Sequence, residues 1–235
     1  MNLILLLEED FTSANRVRLS GRRREHVIEV HRAKVDDELT VGRLNGPMGK
    51  GRITRLDSEC LEMEVLLDAP PPSKLPLTLI LALPRPKVLN RVIASATSLG
   101  VSSIHLVNAW RVEKAYWNSP RLQPENLWTQ RVLGLEQAKD TVLPDLHLHR
   151  LLRPFAEDTL PALIQDTLPL IAHPGAPSAC PRAIERPVTL AVGPEGGFIE
   201  GEVSMFERTG FQPVSMGERI LRVETAVAAL IARLF

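Results

Sequence analysis

The chain has 235 residues, of which 44% are hydrophobic and 24% are charged, with 28 basic and 28 acidic side chains. This composition is typical of a folded protein, and the length suits one large domain or two unequal ones. No apolar run approaches the ~20 residues of a membrane-spanning helix, and Met1–Leu7 is not expected to be a signal peptide. Cys60 and Cys180 are far apart in the sequence and belong to no cysteine motif, so we expect neither a disulfide nor a metal site. The absence of a disulfide framework favours the reducing cytoplasm, and we expect no association with a membrane.

The first 70 residues are predicted to form short strands. Alternating apolar positions in Leu61–Leu67, and turn residues at Asn45–Gly49 between the strands Leu39–Leu44 and Gly51–Leu56, indicate a small barrel. Five early arginines form a basic cluster suited to RNA phosphates, namely Arg16, Arg18, Arg22, Arg23 and Arg24. A solvated loop that keeps the domain soluble would have the same composition, so both interpretations stay open.

The proline-rich segment Asp68–Pro76 separates this region from a second one. There, apolar strands alternate with helical patterns, which predicts an α/β domain with a mostly parallel sheet. The predicted strands are Leu77–Leu83, Ile104–Val107, Leu168–Ala172 and Val188–Val192, and the predicted helices are Val88–Leu99, Asn126–Lys139, Phe155–Gln165, Gly201–Arg208 and Arg222–Phe235. We therefore expect a β domain at residues 1–70, a linker at 71–76 and an α/β domain at 77–235.

Loops near strand ends contain the residues typical of a ligand site. Gly193–Phe198 (GPEGGF) follows a predicted strand, and its glycines allow backbone N–H groups to approach a ligand. Met216–Thr225 combines an apolar floor with Arg219 and Arg222, which suits an adenine ring and a phosphate or base. His173 also ends a predicted strand. The plainer alternatives are a glycine-rich turn for the first motif and a helix start for the second.

A pair of histidines and a group of aromatic residues each allow two interpretations. His147 and His149 would share one strand face, where histidines are more often structural than metal ligands. Trp110, Tyr116 and Trp117 lie among charged residues, where they would serve base stacking or a subunit interface equally well.

These motifs resemble those of the RsmE-type enzymes in the SPOUT (trefoil-knot) superfamily of RNA methyltransferases. The resemblance rests on Gly193–Phe198 and Gly217–Ala226, with support from Leu81–Lys87, Ser98–Val101 and Leu135–Ala138, and it extends over essentially the whole chain. It implies a C-terminal SPOUT trefoil-knot α/β domain with a parallel sheet, preceded by a small PUA-like β-barrel that grips RNA. It also implies a homodimer in which each active site is completed across the interface.

The resemblance further implies S-adenosylmethionine as the cofactor. The methylated atom would be N3 of uridine 1498 in 16S rRNA of the small ribosomal subunit. Arg222 is then expected to contact the base or its phosphate, and Glu195 to shape the cofactor loop. The positions that match the family's cofactor loops are Ala172, His173, Gly193, Glu195, Gly196, Gly197, Met216, Gly217, Ile220 and Leu221.

The sequence departs from the family's pattern at Ser98 and at Ala138–Asp140, positions that we expect to face RNA or an interface. These departures leave the cofactor motifs intact and keep the exact nucleotide open. Two alternatives remain, a diverged paralogue that methylates another RNA site and a non-catalytic RNA-binding dimer. A small-molecule α/β enzyme would leave the basic N-terminal cluster unexplained.

Overall fold

The computed structural model describes residues 2–235, which divide into two compact units. The first unit comprises the residues up to Ser73 together with Val132–Leu143, and the second comprises Lys74–Arg131 and Pro144–Phe235. Each unit has its own hydrophobic core. The alternating pattern of the sequence gives no sign that Val132–Leu143 belongs to the first unit, because a helix pattern does not say what its last turns pack against.

The first unit is a curled six-stranded sheet. Its strands are β1 (Ile4–Leu6), β2 (Phe11–Ser13), β3 (Arg16–Leu19), β4 (Glu38–Arg43), β5 (Met48–Leu56) and β6 (Leu61–Ala69). They lie in the order β1-β4-β5-β6-β3-β2, with β1 parallel to β4 and the other neighbours antiparallel. The short helix α1 (Gly21–His26) follows β3 and continues as one π-helical turn over Val27–His31.

Strand β6 shows how the sequence pattern places the core of this unit. Leu61, Met63 and Val65 are buried, whereas Glu62 and Glu64 alternate with them on the opposite face. The predicted strand is confirmed, and its apolar face forms part of the core.

The turn before β5 is shorter than predicted. Met48 and Gly49, which we expected in the turn, already belong to β5, and Gly49 pairs with Val41 of β4. The backbone of β6 lies so close that a Cβ atom at Gly49 would clash with the carbonyl group of Leu66. The glycine therefore permits a close approach of two strands rather than a turn.

The second unit contains a six-stranded sheet in which all neighbouring strands are parallel. Its strands are β7 (Leu75–Ala82), β8 (Val101–Val107), β9 (Asp145–His149), β10 (Leu168–Ala172), β11 (Val188–Val192) and β12 (Gln212–Val214). They lie in the order β12-β10-β11-β7-β8-β9. The continuous apolar runs in β7 and β11 lie in the middle of the sheet, as expected of strands that are buried on both faces.

Helices occupy most of the connections between these strands. They are α2 (Pro86–Ser98), α3 (Pro124–Ala138), α4 (Leu152–Pro154), α5 (Leu160–Leu163), α6 (Glu200–Arg208) and α7 (Val223–Leu234), with a π-helical turn at Phe155–Thr159 between α4 and α5. The predicted helices are confirmed to within a few residues at each end. No helix within residues 2–235 is both long and apolar enough to cross a membrane.

Three histidines pack together on β8 and β9. Nδ1 of His105 lies 3.0 Å from Nε2 of His149, and the rings of His105 and His147 stack with their centroids 4.7 Å apart. The hydroxyl of Ser103 lies 3.1 Å from Nε2 of His105. Burial and then the neighbouring imidazoles of His147 and His149 lower the pKa of His105 to about 4. Over residues 2–235 no group of side chains is arranged to hold a metal ion, and the cluster packs within the second unit.

We expect the protein to lose stability as the pH falls from about 6.5 towards about 4. The unfolded chain protonates His105 near its ordinary pKa of 6.5, whereas the folded protein resists protonation down to about 4, so the unfolded state binds more protons in this window. The midpoint of thermal unfolding, measured at several pH values in this range, should fall less steeply for His105→Gln. Asn118→Gln, at an exposed position without a titratable side chain, is the control and should keep the wild-type dependence. An unchanged dependence in His105→Gln would contradict the expectation.

Candidate functional site

A cleft opens at the carboxyl ends of β12, β10 and β11, which are neighbours in the parallel sheet. The residues that follow these strands form its wall, together with the segment that leads into α7. The cavity of the cleft has a volume of about 90 Å³. In open α/β sheets ligands bind beyond the carboxyl ends of the strands, so this is the natural ligand site of the unit.

The cleft brings together the predicted cofactor residues, with one exception. Those that line it are Ala172, His173, Gly193, Glu195, Gly197, Met216, Gly217, Ile220 and Leu221. Gly196 does not line it and lies beside Arg111, whose guanidinium group donates a hydrogen bond to the Gly196 carbonyl oxygen. Val223, Ala226 and Leu230 of α7 add apolar side chains to the lining. The structure thus gathers these residues in one cleft, and their contact with a cofactor stays a prediction.

The turn after β11 requires glycine at two positions. A Cβ atom at Gly193 would lie 2.9 Å from the backbone nitrogen of Phe198 and 3.1 Å from Cα of Gly197, which is closer than side chains pack. Gly197 has a φ of +71°, in the left-handed region that favours glycine. These two glycines set the shape of the turn that lines the cleft.

Glu195 joins this turn to the start of α2. Its Oε1 accepts a hydrogen bond of 3.0 Å from the backbone amide of Arg85, which is the N-cap residue of α2. A carboxylate in this place is favoured by the positive end of the helix dipole. The contact supports the expected role of Glu195 in shaping the loop.

The loop after β10 is anchored through its backbone. The amide of His173 donates to the carbonyl oxygen of Val214 at 3.0 Å, and further along the amide of Cys180 donates to that of Ser215 at 2.8 Å. Nδ1 of His173 is buried and has no hydrogen-bond partner within residues 2–235. Because a buried polar atom without a partner costs free energy, this ring nitrogen is suited to a bound ligand.

Two arginines precede α7 and differ in position. Arg219 lines the cleft, whereas Arg222 is the exposed N-cap residue of α7 and lies outside the lining. Neither guanidinium group has a hydrogen-bond or ion-pair partner in the part of the chain that the structure describes. Ile220, between them, is 81% exposed and lines the cleft, so a ligand would cover apolar surface there.

The N-terminal arginines that we predicted to bind RNA all have partners within the first unit. Arg16 and Arg18 of β3 pair with Glu64 and Glu62 of β6 at 2.8 Å and 2.6 Å, and their side chains remain 65% and 57% exposed. These exposed pairs contribute little stability, so both arginines remain accessible to phosphate.

The other three arginines of the cluster are more strongly engaged. Arg22 pairs at 3.0 Å with Glu136, whose side chain is fully buried, and Arg23 pairs with the buried Asp10. Arg24 donates from Nε and Nη2 to a backbone carbonyl oxygen 33 residues away in the chain. RNA contact by these residues stays a prediction, and the geometry gives Arg23 above all a role in stability.

Asp140 corrects one expectation about the departures from the family's pattern. It is 4% exposed, and its Oδ1 accepts hydrogen bonds from the backbone amides of Thr141 and Val142 at 2.6 Å and 3.0 Å. We expected this position to face RNA or an interface, which is wrong, because the carboxylate is buried in the turn after α3. Ser98 is half-buried, and its hydroxyl donates to the carbonyl oxygen of Ser95 within α2.

The fold and the cleft together define a SPOUT-type domain, with a ligand cleft at the carboxyl end of a parallel sheet. The family model described as RNA methyltransferase domain matches residues 71–235. A ribosomal RNA small subunit methyltransferase E of Treponema pallidum is 34% identical over 99% of this chain and 90% of its own length. A ribosomal RNA small subunit methyltransferase E 1 of Borreliella burgdorferi is 25% identical over 97% of this chain and 95% of its own.

Solved structures agree with these relatives. The crystal structure of a ribosomal RNA small subunit methyltransferase E from Neisseria gonorrhoeae bound to S-adenosyl methionine has a TM-score of 0.76 at 26% identity and covers 99% of this chain and 95% of that one. A putative methyltransferase from Legionella pneumophila, with a TM-score of 0.75 at 22% identity over 98% and 95% of the two chains, supports the fold alone. The chain belongs to the ribosomal RNA small subunit methyltransferase E family.

Proposed function

We propose that this protein transfers a methyl group from S-adenosylmethionine to N3 of a uridine in 16S rRNA of the small ribosomal subunit, at uridine 1498. The observation that carries the proposal is the single cleft that gathers both glycine-bearing motifs in a chain of this family. The Neisseria gonorrhoeae relative, which is similar over nearly its whole length, was crystallised with S-adenosyl methionine.

The residues of the cleft fit this cofactor. Apolar side chains from Leu221, Val223 and Leu230 suit the adenine ring, and the turn after β11 offers backbone groups to the polar parts of the molecule. The unpartnered Nδ1 of His173 is a further polar group for the ligand, and the guanidinium of Arg219 suits a carboxylate. When bound, S-adenosylmethionine supplies an electrophilic methyl group on a sulfonium centre.

The chain's own residues would act by positioning and by electrostatics. The uracil N3 must lose its proton before it attacks, and negative charge then develops on the base. Arg222, exposed and without a partner within residues 2–235, would contact the base or its phosphate and stabilise that charge. The turn fixed by Gly193, Gly197 and Glu195 would hold the reaction partners in line, which accelerates transfer by removing unproductive orientations.

The proposal includes the setting of the enzyme. The protein would work in the cytoplasm as a homodimer, with residues 1–70 as a PUA-like RNA-binding domain, 71–76 as a linker and 77–235 as the methyltransferase domain. The exposed side chains of Arg16 and Arg18 support an RNA-binding role for the first domain.

Mass spectrometry of nucleosides from 16S rRNA tests the proposal in a strain that lacks this protein. We expect N3-methyluridine to be absent, and to return with the wild-type chain but not with Gly193→Ala, which distorts the cofactor turn. Fragment mapping would then place the modification at uridine 1498. Unchanged N3-methyluridine would contradict the proposal and indicate a paralogue with another RNA target. Binding of cofactor and RNA without methyl transfer would instead identify a non-catalytic RNA-binding dimer.

A further inference from the structure

A shallow pocket lies beside the start of α2 and shares no lining residue with the cofactor cleft. It is lined mostly by apolar surface, and its residues are Arg85, Pro86, Lys87, Val88 and Tyr116. The first four follow β7 and begin α2, and Tyr116 lies in a 3₁₀ turn after β8. Because β7 and β8 are parallel neighbours, the pocket is at the same edge of the sheet as the cleft.

The cations around this pocket are more available than those of the N-terminal cluster. Lys87 is exposed and has no hydrogen-bond or ion-pair partner among residues 2–235. The guanidinium group of Arg85 lies close to the hydroxyl of Tyr116, which also contacts the carboxylate of Glu113. In the N-terminal cluster, by contrast, each arginine is already engaged by a carboxylate or a backbone carbonyl. A phosphate would therefore displace no ion pair at Lys87.

The pocket is connected to the cofactor cleft by one hydrogen bond. The amide of Arg85, a residue of the pocket, donates to the carboxylate of Glu195, a residue of the cleft. A nucleic acid strand whose target base enters the cleft would thus have its neighbouring nucleotides near the pocket.

We propose that this pocket binds a nucleotide flanking the target, with its base against Tyr116 and its phosphate at Lys87 and Arg85. The inference rests on the proposed methylation of RNA and adds the surface that holds the strand. Aromatic side chains with nearby cations bind single-stranded RNA, because every base has a face that can stack. Tyr116, the only tyrosine of the chain, is held at the pocket by the packing of its ring partly against the core, and its hydroxyl donates to Glu113 at 2.8 Å.

The test measures the affinity of the full chain for a single-stranded oligoribonucleotide that spans the target uridine, at several salt concentrations. Lys87→Ala should lower the slope of log affinity against log salt by about 0.7, the value for one lost phosphate contact on a single strand. Tyr116→Ala should weaken binding by about fivefold to a hundredfold through lost stacking. Tyr116→Phe keeps the ring and should bind RNA as the wild type does. Calorimetry should show unchanged affinity for S-adenosylmethionine in all three variants.

Arg186→Ala is the matched control, since it removes one positive charge from the same unit. Arg186 is exposed and precedes the amino end of β11, at the opposite edge of the sheet, so the salt slope should not change. Equal effects in Arg186→Ala and Lys87→Ala, or no effect in Lys87→Ala, would overturn the inference.

Two further outcomes are kept distinct by this design. Tyr116 packs partly against the core, so cofactor binding checks the fold of Tyr116→Ala, while Lys87→Ala changes only an exposed side chain. A wild-type chain that binds the RNA without methylating it would contradict the proposed function, and the Lys87→Ala slope would still decide the role of the pocket.

Discussion

Gly193→Ala is expected to weaken the binding of S-adenosylmethionine at least tenfold, which corresponds to about 1.4 kcal/mol or more. The added methyl group would lie 2.9 Å from the backbone nitrogen of Phe198 and would meet the backbone of Gly197, so the turn itself must move. Backbone atoms of a closed turn cannot rotate away as a side chain can. Isothermal titration calorimetry of the purified variant measures the loss directly.

Gly196→Ala makes the same chemical change three residues further on and is the control. Its Cβ atom would meet the side chain of Arg111, which is flexible, and Gly196 does not line the cleft. The variant should therefore bind the cofactor within a few-fold of the wild type and keep a thermal unfolding midpoint close to that of the wild type. Equal losses of affinity in the two variants would show that the motif does not act through the geometry of the turn.

The helices and strands that could be predicted are those whose buried residues form a recognisable pattern of apolar positions in the local sequence. Val188–Val192 is buried along its whole length, and its four apolar residues around Thr189 predicted the strand with the bounds that the structure has. Strand β12 has three residues and contains Pro213, and it exists because it pairs with β10 in the folded chain. A short stretch of sequence does not show that its residues will pair with a strand elsewhere in the chain.

The candidate cleft was predictable to a large extent, because its lining follows strands that the pattern locates. His173 and Gly193 come directly after β10 and β11, and parallel neighbours bring their carboxyl ends together. The partners of the arginines were not predictable. Arg22 and Glu136 are 114 residues apart in the sequence, and neither residue type shows in advance that the other will neutralise it. A basic cluster in a sequence is therefore weaker evidence for RNA binding than the same cluster in a structure.

Arg23→Ala is expected to destabilise the protein by about 3–5 kcal/mol, the usual loss when one member of a buried ion pair is removed. Asp10 is buried, and both of its oxygens accept hydrogen bonds from Arg23. Arg23 also donates to the carbonyl oxygen of Leu5 at 2.8 Å, so it links two parts of the first unit. Without it the carboxylate of Asp10 would remain buried without a cation. Urea unfolding followed by circular dichroism measures the loss.

Arg18→Ala is the matched control for Arg23→Ala, because its ion pair with Glu62 is exposed and should contribute little to stability. Comparing the two variants also distinguishes two causes of weakened RNA binding, the loss of a phosphate contact and the loss of the fold. A loss of RNA affinity in Arg18→Ala at unchanged stability would indicate a phosphate contact, whereas the same loss in Arg23→Ala would follow from the damaged first unit. Replacing Arg23 and Asp10 together by leucine should recover part of the stability, since no buried charge is then left alone. Wild-type stability in Arg23→Ala would contradict this account and restore Arg23 as a candidate for direct RNA contact.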